Sequence, residues 1–199
     1  MRNLDIDGVH DSYPNRAVFI QGDAAATGPI NATITGSALT NGNSPGGGIE
    51  IDNAGDATVT ALVENNTISQ VTGDGISIVD HDGAGLVNAT IRNNSVSLDD
   101  AQAGDGIDVS AGGDADPGTA TVCASIASNT STTTAAGKVG IRIRQLGAGT
   151  SFLLAGYGGA PGDDAAVQAF LSAGNAGASA AADHAGAGFS PVDSCPLPA

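Results

Sequence analysis

A tetrapeptide of the form Gly-Ile-x-Ile/Val recurs four times along this chain, as Gly48-Ile49-Glu50-Ile51, Gly75-Ile76-Ser77-Ile78, Gly106-Ile107-Asp108-Val109 and Gly140-Ile141-Arg142-Ile143. Successive copies stand 27, 31 and 34 residues apart. A second pattern aligns independently of the first. With Asn66, Asn94 and Asn129 set in register, Val63, Ile91 and Ile126 fall three residues before them. Ile68 and Val96 fall two residues after, and Ser131 is the departure; Ser37, with Ile34 and Leu39, is a looser fourth member. Self-similarity at a period of roughly 20–50 residues marks stacked units that bury one shared core. The chain is therefore expected to be an all-β parallel solenoid of about five coils, the fifth being a degenerate one with Arg16–Ile20 and Thr33–Leu39 as its strands.

Strand geometry explains the residue choices. Alternate side chains point to opposite faces, so Ile76 and Ile78 face one way and Ser77 the other. Stacking puts Ile49, Ile76, Ile107 and Ile141 in one interior column, each about 4.8 Å from the next. Asparagines stacked in the same way can exchange amide hydrogen bonds along the axis, so Asn66, Asn94 and Asn129 are expected to form a structural ladder. The glycine ahead of each first strand is expected to supply the positive φ of a sharp corner. Phe19 falls in the outward slot otherwise held by Glu50, Ser77, Asp108 and Arg142.

After the last repeat the pattern changes. Pro161-Gly162-Asp163-Asp164 offers a turn and a carboxylate N-cap, and Ala165–Ser172 is a run of good helix formers with Val167, Phe170 and Leu171 on one stripe. A short amphipathic helix is expected there, packed on the barrel or capping its end. Residues 176–199, rich in Ala and Gly and then in Pro, read as an extended tail. The division is thus a solenoid over residues 1–158 and a capping helix with tail over residues 159–199.

The Gly-Ile-x-Ile strand followed by Val/Ile-x-x-Asn-x-Ile/Val resembles the right-handed parallel β-helix of the pectin lyase-like superfamily over roughly residues 16–155. The downstream segment, with Cys123, Ile141-Arg142-Ile143-Arg144-Gln145, Phe152–Tyr157, Asp163–Asn175 and Cys195, resembles the closing region of β-helix domains in large secreted bacterial surface proteins. The resemblance implies a right-handed solenoid and a secreted or cell-surface setting as part of a larger exported protein. Because that fold serves enzymes and inert modules alike, it implies fold ahead of activity. In an exported chain the economical reading of Cys123 and Cys195 is a disulfide pinning the tail to the solenoid, buried free thiols being the alternative.

Composition bounds the partners. With 6 basic and 21 acidic residues the net charge is −15, which argues against nucleic acid and against anionic membrane surfaces. No segment approaches the run of about 18–20 apolar residues that a membrane span needs, so no membrane insertion is expected. The N-terminus has no apolar signal core, and Leu4 and Ile6 alternate with polar residues as if a coil were already under way. Aromatics are 3% and Trp is absent, which suits aliphatic columns.

The expected function is a non-catalytic structural or adhesive module that assembles into fibres or holds a cell-surface glycan. The alternative is a polysaccharide lyase or glycoside hydrolase, or a fragment of one. For that alternative the candidate catalytic carboxylates are Asp105 and Asp108, with Asp80-His81-Asp82 a further acid and imidazole cluster. The signatures Asn-Thr-Asp and Gly-His-Gly of such hydrolases are missing from the sequence. Asp74 and Asp105 share the Gly-Asp-Gly corner of successive coils, which would suit calcium as a cofactor, or equally two carboxylates accepting backbone N–H bonds. His10, His81 and His184 are isolated in sequence and read as solvent-facing.

Overall fold

The structure, a computed structural model, describes residues 1–3, 5–7, 16–40, 47–113 and 118–199, with residues 5–7 known by their backbone. Among the described residues seventeen strands and one helix follow in order. They are β1 (Asp5–Asp7), β2 (Val18–Gly22), β3 (Pro29–Thr35), β4 (Ala38–Thr40), β5 (Ile49–Asn53), β6 (Thr58–Glu64), β7 (Thr67–Ser69), β8 (Ile76–Asp80) and β9 (Leu86–Arg92). Then come β10 (Ser95–Leu98), β11 (Ile107–Ala111), β12 (Thr121–Ala127), β13 (Thr130–Thr133), β14 (Ile141–Gln145), β15 (Ser151–Ala155), α1 (Asp164–Gly174), β16 (Ala180–His184) and β17 (Phe189–Val192).

Three parallel sheets result, each taking every third strand up to β15, after which β16 and β17 join the first two. The first runs β2-β5-β8-β11-β14-β16, the second β3-β6-β9-β12-β15-β17 and the third β1-β4-β7-β10-β13. This is a parallel β-solenoid, and the expected register holds in detail. Ile49 pairs with Ile76, Ile76 with Ile107, and Ile107 with Ile141, all fully buried. The outward row is Phe19, Glu50, Ser77, Asp108 and Arg142, with Phe19 exposed. His10 lies outside the described residues.

The asparagines form a ladder of direct amide bonds. Asn66 Nδ2 donates to Asn94 Oδ1 at 3.0 Å, Asn94 Nδ2 to Asn129 Oδ1 at 3.0 Å, and Asn129 Nδ2 to Asn175 Oδ1 at 2.9 Å. Each accepting oxygen also takes the backbone N–H of the preceding rung, and the Ser37 N–H donates to Asn66 Oδ1. The second amide hydrogen reaches back to the preceding coil, at the carbonyls of Ile34, Val63 and Ile91 in turn. A buried amide with all its partners is stable in a way that a lone buried polar group is not.

The glycines ahead of the first strands serve a different purpose from the one the sequence suggests. Gly48, Gly75, Gly106 and Gly140 are not among the residues with positive φ. A Cβ on Gly75 would lie 2.6 Å from the Gly106 carbonyl oxygen, and one on Gly106 would lie 2.6 Å from that of Gly140. The coils approach so closely here that only hydrogen fits. Positive φ occurs instead just before the ladder, at Gly36, Asn65, Asn93 and Ser128, where Asn and Gly tolerate the left-handed region best.

Helix α1 is an insertion within a coil. The strand β15 follows β12 only from Thr121 to Ala124, and the helix then leaves the sheet. Asp163 caps it, its side chain accepting the Ala166 N–H at 3.0 Å, while Val167 and Leu171 are buried and Phe170 lies against Tyr157. At Asn175 the chain rejoins the ladder, and the Ser128 N–H donates to the Gly174 carbonyl at 2.7 Å. The stretch read as an extended tail then differs from that expectation, because β16 joins β14 and β17 joins β15. Phe152 and Phe189 pack edge to face between them. Residues 193–199 lie outside any strand, and a Cys123–Cys195 disulfide ties them to β12. Among the described residues no helix is long and apolar enough to cross a membrane.

Candidate functional site

The outer face of the first sheet concentrates the charge. Because β11 and β14 run in register, Asp108 lies beside Arg142, and Ser110 beside Arg144. The Gly-Asp-Gly corners before β8 and β11 bring Asp74 and Asp105 to the same edge. One carboxylate oxygen from each of Asp74, Asp105 and Asp108 lies within 4.8 Å of the others. The sequence placed Asp74 near Asp105, and the structure adds Asp108 to the pair.

Each carboxylate has donors from the chain itself. Asp74 Oδ1 accepts the Asp105 N–H at 2.7 Å, and Asp105 Oδ1 accepts the Val139 N–H at 2.7 Å. These are rungs between coils, not turns within one. Asp105 Oδ2 receives Arg142 Nε at 2.8 Å, with Lys138 Nζ at 3.8 Å. Asp108 accepts from Arg144 Nη2 at 2.8 Å and from the Ser110 hydroxyl at 3.0 Å. Asp105 and Asp108 are only 2% and 4% exposed.

Burial, followed by the negative charge of Asp108, raises the Asp74 carboxyl from 3.8 to about 6. Burial also raises Asp108, against the opposing pull of Arg144. The Asp105 bond raises the Arg142 guanidinium further above its usual range. Asp74 also lines a groove of about 160 Å³ with Arg16, Glu50 and Ser77.

The donor set is oxygen-only, as calcium requires. Yet Arg142, Arg144 and Lys138 already neutralise it, so a cation would have to displace a guanidinium from a nearly buried carboxylate. Melting curves in millimolar calcium and in chelator are therefore expected to coincide. A rise of several degrees in calcium would show that a cation displaces Arg142. As catalytic groups, Asp105 and Asp108 present little surface to a substrate, and Asp74 is the carboxyl that faces a groove.

The remaining sequence candidates fall elsewhere. Both described histidines are engaged, in contrast to the solvent-facing reading. His81 Nε2 lies 2.7 Å from Asp52 and its Nδ1 2.6 Å from Asp82, and His184 Nδ1 lies 2.8 Å from Asp164 of α1. Two features escaped the sequence reading. Asn175 is a ladder rung whose usual apolar residue three positions earlier is replaced by Ser172, inside the helix. Asn53 and Asp80 form a second buried polar stack, signalled only by polar residues at an inward position of alternating strands. Set against known proteins, the chain matches no family model, no curated protein and no solved structure.

Proposed function

We propose that this chain is a non-catalytic structural or adhesive module of a secreted or cell-surface bacterial protein, with a solenoid of the pectin lyase-like kind. The observation that carries this reading is how the basic residues are used. Of the 6 in the chain, 5 join a carboxylate on the adjacent coil. They are Arg16 to Glu50, Arg92 to Glu64, Lys138 and Arg142 to Asp105, and Arg144 to Asp108. The more exposed pairs, Arg16 with Glu50 and Arg92 with Glu64, contribute little singly, about 0–1 kcal/mol, whereas the other three engage nearly buried carboxylates, and each of the five fixes the register of one coil on the next. The outer face is thus organised for stacking, and the disulfide suits an oxidising compartment.

Strand β2 ends its sheet on one side, and such an edge presents backbone groups that another chain can pair with, whereas residues 1–3 already bond along β3 at Thr33 and Thr35. The expected behaviour is head-to-tail association, read as a light-scattering mass that rises with concentration and as filaments in electron microscopy. The polysaccharide-active alternative draws on Asp74, whose raised carboxyl in a groove has the character of a general acid. A concentration-independent mass of 19.2 kDa together with oligosaccharide release from an acidic polysaccharide, abolished by Asp74→Asn, would overturn the structural reading in its favour.

A further inference from the structure

The corner that follows the first strand carries a polar side chain on its inner side in two successive coils. Asn53 closes β5 and Asp80 closes β8, the two are paired in register, and both are fully buried. Asn53 Nδ2 donates to the Ala57 carbonyl at 3.1 Å and to Asp80 Oδ1 at 2.9 Å. Asn53 Oδ1 and Asp80 Oδ2 have no hydrogen-bond partner. The arrangement repeats the asparagine ladder with a carboxyl on one rung. In the ladder proper every rung is an amide, whose two hydrogens serve neighbouring oxygens. An ionised carboxylate has no hydrogen to give and must instead find donors for every lone pair.

The surroundings supply too few. Ala111 follows Asp80 in register and is apolar. The Thr121 amide lies towards Asp80 but donates to the Gly85 carbonyl at 3.0 Å. The charged groups facing the corner are Asp52 of β5, His81 beside Asp80 itself, and Asp82. Asp52 also takes Gln21 Nε2 of β2 through its other oxygen, and Asp56 accepts the Ala84 N–H. Neither Ser110 nor Ala111 of β11 brings a charge. His81 is clamped by Asp52 on one ring nitrogen and by Asp82 on the other. Imidazole donates from both nitrogens only as the cation.

We propose that the corner joining β5, β8 and β9 is an acid-stabilised latch, in which the folded solenoid carries Asp80 as a neutral carboxylic acid and His81 as an imidazolium. Losing both protons places one negative charge on Asp80 and removes the positive charge of His81 beside Asp52 and Asp82, and with it one arm of the His81 clamp. The corner between the first and second sheets then loosens, while the all-amide ladder on the other side of the coil is untouched.

The direction with pH follows from the two groups. Burial moves the Asp80 carboxyl from 3.8 to about 7, against the bond from Asn53. Burial alone would lower His81, but its bonds to Asp52 and then Asp82 raise it above 6.5. Both folded-state values exceed the unfolded ones, so their stabilisation is complete at low pH. It is lost from about pH 4 to about pH 7 for Asp80, and through and above pH 6.5 for His81. The Asp80 shift corresponds to about a thousandfold in the folding equilibrium constant.

Two measurements on the full chain test the latch. Urea unfolding of the native protein and of Asp80→Asn, at pH 4 to 8, is expected to give similar stabilities at pH 4. The variant, which restores an amide rung, should gain about a thousandfold over the native protein by pH 8. A difference that stays constant across that range overturns the proposal. So does a 13C titration of the native Asp80 carboxyl with its midpoint near 4, a readout that does not depend on the variant folding.

Discussion

Gly75→Ala is expected to lower the melting temperature by roughly 10 °C, corresponding to about 3 kcal/mol or more for a chain of this size. The new methyl would meet the Val96 Cγ1 methyl on one side and the Gly106 carbonyl oxygen, 2.6 Å away, on the other. A flexible side chain could move aside, but the carbonyl belongs to the coil below and is itself an acceptor for the Ile76 N–H at 3.0 Å. Relief therefore requires prising two coils apart and weakening the strand pairing on either side. Gly28→Ala is the control, since a Cβ there meets nothing within 4 Å, and it should melt within about 1–2 °C of the native protein. Equal melting of the two variants, by circular dichroism, would mean that the column of close approaches does not limit the stacking.

Asn94→Ala is expected to cost roughly 4 kcal/mol, because one truncation leaves several buried groups without partners. The Asn66 backbone N–H loses its acceptor outright, and Asn66 Nδ2 loses one of its two. On the other side, the Val63 carbonyl and Asn129 Oδ1 each lose the Asn94 amide donor. Asn94→Asp preserves the shape but puts an oxygen where the donor stood. At pH 8 it should be about as destabilised as the alanine variant, and at pH 4 it should recover part of the loss as the carboxyl protonates. Urea midpoints at the two pH values decide the matter, and an Asp variant insensitive to pH would show that the ladder carries little of the stability.

The sequence reveals the repeat because burial alternates along each strand, so Ile49, Ile76, Ile107 and Ile141 announce one interior column without knowledge of the loops. The asparagine ladder is legible for the same reason, since Asn66, Asn94 and Asn129 keep a fixed offset from an apolar residue. Asn175 is hidden because a helix stands where that residue would be, and helical spacing carries no information about coil register. The purpose of Gly75 and Gly106 was misread because a glycine required by a neighbouring backbone looks identical in sequence to one required by positive φ. For the charged face, alternation places Asp108 outward correctly but cannot reveal that Arg144 and Ser110 enclose it until it is 4% exposed. Those contacts depend on which residues of the next coil fall opposite, across a loop of variable length.

The course of the chain through α1 bears on what this scaffold can carry. It leaves the second sheet after Ala155, builds a helix, and re-enters at Asn175, with its amide on Asn129 and its strands β16 and β17 in register with β14 and β15. The positions inside the stack are fixed to within a methyl group, as the glycine column shows, yet the path between two of them can lengthen by a whole helix without disturbing either. Tolerance to substitution and tolerance to insertion are thus separate properties here. A scaffold of this kind can accept foreign cargo between Ala155 and Asn175 wherever the cargo returns its ends to the same two points.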